Sequence, residues 1–271
     1  MPNWKIPPSD PSHIYLKHLR ALEPEADKRI GNQHVVSKVL LKGFATRDAS
    51  AGLQLTPFDL NFGRERRSKG LSGCGKVPHF LKYASESAEQ LWKSVEDQLH
   101  TAIDSARRGR LHDQDSHSQA IADCIALHLV RSIRYLEMHQ SIIAKSTENV
   151  REEVMHSGRA VLESEFKRRY GLHPAGPEAL ALILDEPISK WLELDKRGAL
   201  PRASIEAMFR RVREAFRTQA IEVWHVPLGC ELLISDSPAV TIRYLAGNTS
   251  VEPNVAIGDA HCVALPLARD W

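Results

Sequence analysis

One stretch constrains this chain more than any other. "SQAIADCIALHLVRSIRYLEMHQ", Ser118 to Gln140, carries apolar side chains nearly all the way round a helical wheel of 100 degrees per residue. A helix with no polar face has no side to turn to water, so this one belongs at the centre of the fold, covered by other elements. His128, Arg131 and Tyr135 share one sector of the wheel, flanked by Cys124, Leu127 and Met138. A lone buried charge costs several kcal/mol even after relaxation, so Arg131 requires a partner. That partner is either a protein carboxylate, with Glu96 and Asp236 as candidates, or an anionic ligand in a cleft. Arg134, about 60 degrees away on the same wheel, suits either role.

Helical patterns flank this element. Leu91, Trp92, Val95, Leu99 and Ile103 recur at helical spacing behind Ser85, which reads as the N-cap, and "RRGRL" reads as the stop; Glu96 lies at the edge of that stripe. "TENVREEVMHSGRAVLESEFKRRYG", "GPEALALILDEPISKWLELDKRG" and "PRASIEAMFRRVREAFRTQ" continue the helical region, with Gly171 and Pro174 as a stop. Beyond Gln219 the pattern changes to short β-branched runs punctuated by glycine, proline and asparagine: "IEVWHVPL", "ELLISDSPAV", "VTIRYL" and "HCVALPL". Their connections are too short for crossover helices, so one mostly antiparallel sheet is expected. The fold class is therefore α+β, a central helical bundle over about residues 85–218 with a C-terminal β-sheet over about 221–267. We expect an N-terminal extension over residues 1–31 and a single domain over 32–271.

Composition excludes several classes. Of 271 residues, 42% are hydrophobic and 26% charged, ordinary for a folded soluble domain, and 36 Lys and Arg against 34 Asp and Glu leave a net charge of +2. No global field marks the chain for nucleic acid or membrane, so any basic patch is local. "MPNWKIPPSD" lacks a signal-peptide pattern and no window reaches a membrane span, which predicts a cytoplasmic protein. Cys74, Cys124, Cys230 and Cys262 stand far apart with no C-x-x-C pair, so reduced thiols are expected in preference to disulfides or structural zinc.

Four places carry candidate chemistry. "NFGRERRSKGLSGCGK" concentrates five basic residues from Arg64 to Lys76 and is either a phosphate-contacting loop or a solvated surface loop. It follows "LQLTPFDL", a strand interrupted by Pro57. "HDQDSHS" offers His112, Asp113, Asp115 and His117, which resembles a metal site but reads better as N-cap chemistry ahead of an apolar run. "SDSP", Ser235 to Pro238, ends an apolar strand, where Asp236 either emerges beside a cleft or makes a turn with Ser237. "NQHVVSKVLLKGF", Asn32 to Phe44, sets Gln33 and His34 in front of an apolar helical run.

That last stretch resembles the N-terminal signature of an uncharacterised bacterial family, domain of unknown function 4238, in which a polar residue and histidine precede V-[PS]-x-x-[YL]-L-[RK]-x-F. Gln33, His34, Ser37, Leu41, Lys42 and Phe44 match it. "EQLWKSVEDQL" with Glu96, the central helix with Arg131, "LLISDSPAV" with Asp236 and Pro238, and "GDAHCVALPL" are similar to later family motifs in the same order. Ser37 stands where many members have proline. Members usually run some tens of residues beyond the last motif, whereas this chain stops at "ARDW"; if it is truncated, the sheet should show an exposed edge or an open groove where further strands would pair. The resemblance implies no established activity.

Taken together, the residues suggest one pocket in an α+β core, with His34, Asp236 and Glu96 catalytic and Gln33, Arg131 and Arg134 binding substrate. His, Arg and carboxylates are the parts of phosphate-ester chemistry: a carboxylate holds a divalent metal or activates water, His acts as general acid or base, and Arg takes the phosphate. The first expectation is a bacterial hydrolase acting on a phosphate ester or nucleic acid, in defence or conflict. The alternatives are a non-catalytic binder of nucleic acid or nucleotide through Arg131 and the Arg64–Lys76 loop, and an interaction module whose polar cluster is purely structural.

Overall fold

The computed structural model describes residues 30–245 and 250–269; the expected N-terminal extension lies almost wholly outside them. At the centre is the apolar stretch the sequence singles out, divided into two helices. α3 spans Asp115–Val130 and α4 Ile133–Ser157. The division falls at Arg131, which leaves helical geometry with ψ at 54°, and at Ser132, whose hydroxyl accepts from the Tyr135 amide at 3.2 Å as the N-cap of α4. One wheel therefore does not describe both halves, and Tyr135 does not share Arg131's face.

Helices cover α3 on two sides. α2, Ser85–Arg107, supplies Trp92, Val95, Leu99 and Ile103, and α7, Ala199–Phe216, supplies Ile205, Phe209 and Val212, to one core with Ile121, Cys124 and Leu127. A second apolar cluster of Leu162, Leu180, Ile183 and Leu184 joins α5, Arg159–Tyr170, to α6, Pro177–Lys196. The helical boundaries follow the sequence closely, with Gly171 at φ 69° closing α5 and Pro177 opening α6. Two expected caps are corrected. Ala84, not Ser85, precedes α2, and the Ser85 hydroxyl accepts instead from the Ile30 amide at 2.6 Å. At α3, Gln114 occupies the N-cap position with no side-chain cap bond, and Asp115 lies inside the first turn.

The N-terminal half is built from short strands. β1, Asn32–His34, pairs antiparallel with β7, Lys76–Pro78, in the register His34 to Lys76. Between them lie α1, Lys38–Phe44; β2, Thr46–Asp48; β3, Gly52–Leu55; β4, Phe58–Asp59; β5, Arg64–Glu65; and β6, Lys69–Gly70. β2, β3 and β6 form one antiparallel sheet and β4 with β5 another, so the basic run from Arg64 to Lys76 is a folded β arm and not a featureless loop.

At the C-terminal end, β8, Val240–Tyr244, pairs antiparallel with β9, Val251–Pro253, and β10, Cys262–Ala264. The antiparallel sheet is present but smaller than expected. "IEVWHVPL" and "ELLISDSP" form no ladder among the described residues. Ile221, Val223 and Ile234 pack singly against the core, while Trp224, Leu228 and Leu233 face solvent. The segment after β10 crosses α1: the Arg269 amide donates to the Gly43 carbonyl at 3.1 Å, and the Leu232 amide donates to the Arg269 carbonyl at 2.7 Å. Gly43 permits this approach, since a Cβ there would lie 2.3 Å from the Leu267 carbonyl oxygen. No helix among the described residues is long and apolar enough to cross a membrane.

Candidate functional site

Arg131 is 1% exposed and pairs through Nη1 with Glu96 Oε1 at 2.7 Å. Its guanidinium also lies over the indole of Trp92, 4.2 Å from the ring centroid. Glu89, Trp92 and Glu96 occupy one face of α2 at helical spacing, and that face meets Arg131 where α3 ends. Of the two carboxylates the sequence offers as its partner, Glu96 takes the role.

The opening motif serves mainly to hold this junction together. Gln33 is fully buried, and its Oε1 accepts from the Leu81 amide at 2.5 Å, fixing the approach to α2. Ser37 caps α1 by accepting from the Val39 amide at 3.3 Å, while its own amide donates to Nε2 of His128 at 3.1 Å. His128 Nδ1 lies 2.9 Å from the Cys124 carbonyl, which sets the tautomer: Nδ1 carries the hydrogen and Nε2 accepts. Burial, with the Arg131 charge second, pushes His128 down to about 3, so it is neutral under ordinary conditions. Burial also raises the Cys124 thiol far above its usual value.

His34 differs from these. It ends β1 and does not begin a helix; α1 starts four residues later under Ser37, so no helix N-terminus surrounds the imidazole. Burial lowers its pKa to about 4, assisted by Lys38, Lys76 and Arg131. Its Nε2 is shielded from solvent and has no hydrogen-bond partner among the described residues. Glu89 was not a sequence candidate, yet it has the opposite perturbation in the same neighbourhood. Burial raises its pKa and the Glu96 charge adds to the rise, against the pull of Arg131 and Lys38, and its buried Oε1 has no partner. Arg131 Nε is likewise unpartnered. The E-x-x-W-x-x-x-E spacing of Glu89, Trp92 and Glu96 was the signal available for Glu89, since it places both carboxylates on the buried edge of one helix.

The structure thus brings His34, Glu89, Glu96 and Arg131 into one electrostatic neighbourhood, with Lys38 and Lys76 at its solvent edge. The remaining candidates stand apart from its interactions. Arg134 is exposed and donates to the Asn254 carbonyl at 2.7 Å, tying α4 to the C-terminal sheet. Asp236 is exposed, in a turn made by Ser235, whose Oγ accepts from the Ser237 amide at 3.2 Å. Its carboxylate makes no hydrogen bond or ion pair with the described residues.

The His112–Ser118 turn borders a cleft of about 360 Å³ lined by His100, Asp104, Asp113, His117, Arg108 and Arg110. Among the described residues no three His, Cys, Asp or Glu side chains are arranged to hold a metal ion, here or around His34. No protein-family model, curated protein or solved structure matches this chain.

Proposed function

We propose that the protein is a phosphate-ester hydrolase whose site is the His34, Glu89 and Arg131 neighbourhood. The observation that carries this reading is the convergence of three buried, unpartnered polar atoms, His34 Nε2, Glu89 Oε1 and Arg131 Nε, beside Lys38 and Lys76. Each buried polar atom without a partner costs about 1–3 kcal/mol. A purely structural network is normally saturated, so retention of three together favours a site that meets a ligand. The surplus of cations selects an anion.

The shifts at His34 and Glu89 support the following roles. His34 is unprotonated at neutral pH and accepts a proton from water as the water oxygen bonds to phosphorus. Glu89, held toward its protonated form, donates to the ester oxygen as the P–O bond breaks. Lys38 and Lys76 offset the phosphate charge, and Glu96 fixes Arg131 in place. No three His, Cys, Asp or Glu among the described residues form a metal-ligand set, and the steps are written on the chain's own side chains. The likeness to the family of unknown function fits this assignment at His34, Glu96 and Arg131 and leaves Asp236 without a part.

The test is hydrolysis of p-nitrophenyl phosphate and bis(p-nitrophenyl) phosphate. We expect turnover of at least one, a fall in kcat/KM as pH drops toward about 4 and His34 protonates, and a loss of about 100-fold or more in His34→Gln with the melting temperature nearly unchanged. Absence of turnover, or an undiminished rate in His34→Gln, overturns the reading.

A further inference from the structure

The β arm beside His34 has the composition of a surface for a polynucleotide. Residues 30–82 hold nine Lys and Arg against three Asp and Glu, whereas the whole chain is nearly neutral at +2. Two of the three carboxylates are already engaged. Asp48 accepts from the amides of Ser50 and Ala51 at 2.8 Å, and Asp59 pairs with Arg66 while accepting from the Asn61 amide at 3.0 Å. Arg47, Arg64, Arg67, Lys69 and Lys76 are exposed, and none forms an ion pair with a described residue.

Apolar side chains stand among these cations. Phe58, Leu60 and Phe62 are 54%, 88% and 68% exposed on the hairpin between β4 and β5, and the Arg64 guanidinium lies 5.4 Å from the Phe62 ring centroid. Exposing three large apolar groups on so small an element is costly in water unless something covers them. The hairpin is also held in shape: Asp59 fixes its turn, the Arg66 amide donates to the Pro57 carbonyl at 2.8 Å, and the Thr56 and Ser68 hydroxyls meet at 2.8 Å. An exposed aromatic ring with the Arg64 guanidinium beside it suits stacking on an unpaired base, and the free cations suit the phosphates on either side. A duplex hides its base faces, and a protein partner would not require so one-sided a charge. From β5 the chain continues through β6 to β7, which places Lys76 opposite His34.

We infer that this arm binds single-stranded nucleic acid, with Phe62 stacking on a base and Arg64, Arg67, Lys69 and Lys76 contacting phosphates along the way to His34. That the bound strand is also the substrate rests on the hydrolytic reading above; the binding does not.

The experiment is fluorescence anisotropy with labelled oligonucleotides of about 16 nucleotides, as single-stranded DNA, single-stranded RNA and DNA duplex, over a sodium chloride series. Four phosphate contacts predict a log–log salt slope of about −3 for the single strands. Phe62→Ala weakens binding about tenfold. Arg67→Glu combined with Lys69→Glu reduces the magnitude of the slope by about 1.4. Tighter RNA than DNA binding, or equal binding, supports the inference and reports whether the sugar is read. Preference for duplex, salt-insensitive binding, indifference to both arm variants, or no binding overturns it. Strand binding without turnover of the nitrophenyl esters or of the strand sinks the hydrolase and spares the arm, and ester turnover without strand binding does the reverse.

Discussion

Arg131 keeps a full charge where only 1% of its surface meets solvent, and two contacts of different kinds make that tolerable: the Glu96 carboxylate and the face of Trp92. Removing one member of such a pair strands the other. Arg131→Ala should destabilise the protein by about 3–5 kcal/mol in urea unfolding, and Arg131→Met with Glu96→Met should recover part of that loss. A double variant as unstable as the two single losses added would show that shape, not charge, is what the site loses. The need for a partner is legible in the sequence, because a charge in an apolar sector has to be neutralised and Glu96 is the nearest carboxylate on a neighbouring helical stripe. Glu89 is legible only as a spacing: it shares the stripe of Trp92 and Glu96, but until the facing element is known nothing says that this stripe meets Arg131. His34 stands out by its place in the opening motif, but its strand setting does not, because a three-residue strand has too few alternations to leave a period.

At the scale of elements, the helices follow from apolar spacing and the strands only in part. β8 and β10 find partners, and their β-branched runs fit a pleated surface packed on one side. "IEVWHVPL" and "ELLISDSP" have the same composition and no ladder, for β-propensity records fit to a half-buried face and cannot supply the neighbouring strand. The break between α3 and α4 is written in Ser132 but hidden by the apolar residues on both sides of it. Gly43 offers a contest of signs. Alanine within a helix is favoured over glycine by about 1 kcal/mol, yet here its Cβ would meet a backbone oxygen at 2.3 Å. Gly43→Ala should therefore lower the melting temperature, by an amount equivalent to about 1–3 kcal/mol, and a rise would show that the crossing segment does not lie against α1.

Over the whole molecule, two neutral imidazoles, half-buried His34 and fully buried His128, make stability depend on pH in a defined direction. His34 and His128 titrate at about 4 and about 3 in the folded chain, against about 6.5 when unfolded. Between those values the unfolded state binds more protons, so their contribution is complete above about pH 6.5 and is lost as pH falls toward the folded values. Each unit of displacement is worth about 1.4 kcal/mol, so charging His128 alone costs several. Glu89, shifted upward, acts with the opposite sign, losing stability as pH rises through its folded value. His128→Gln keeps an acceptor for the Ser37 amide without a titrating ring, and should lose less stability than the parent between neutral pH and about pH 5 in parallel urea titrations. Equal losses would place the acid sensitivity elsewhere.

The seam where Arg269 joins both Gly43 and Leu232 has a kinetic consequence. Its bond from Arg269 to Gly43 links positions near opposite ends of the described chain, so nearly the full loop entropy is spent before that bond can form. The pair α2 and α3, by contrast, packs between helices adjacent in sequence and can assemble without it. The seam therefore belongs to the last stage of folding, where a contact slows the escape from the native state more than it speeds arrival, and it acts as the latch on a body already formed.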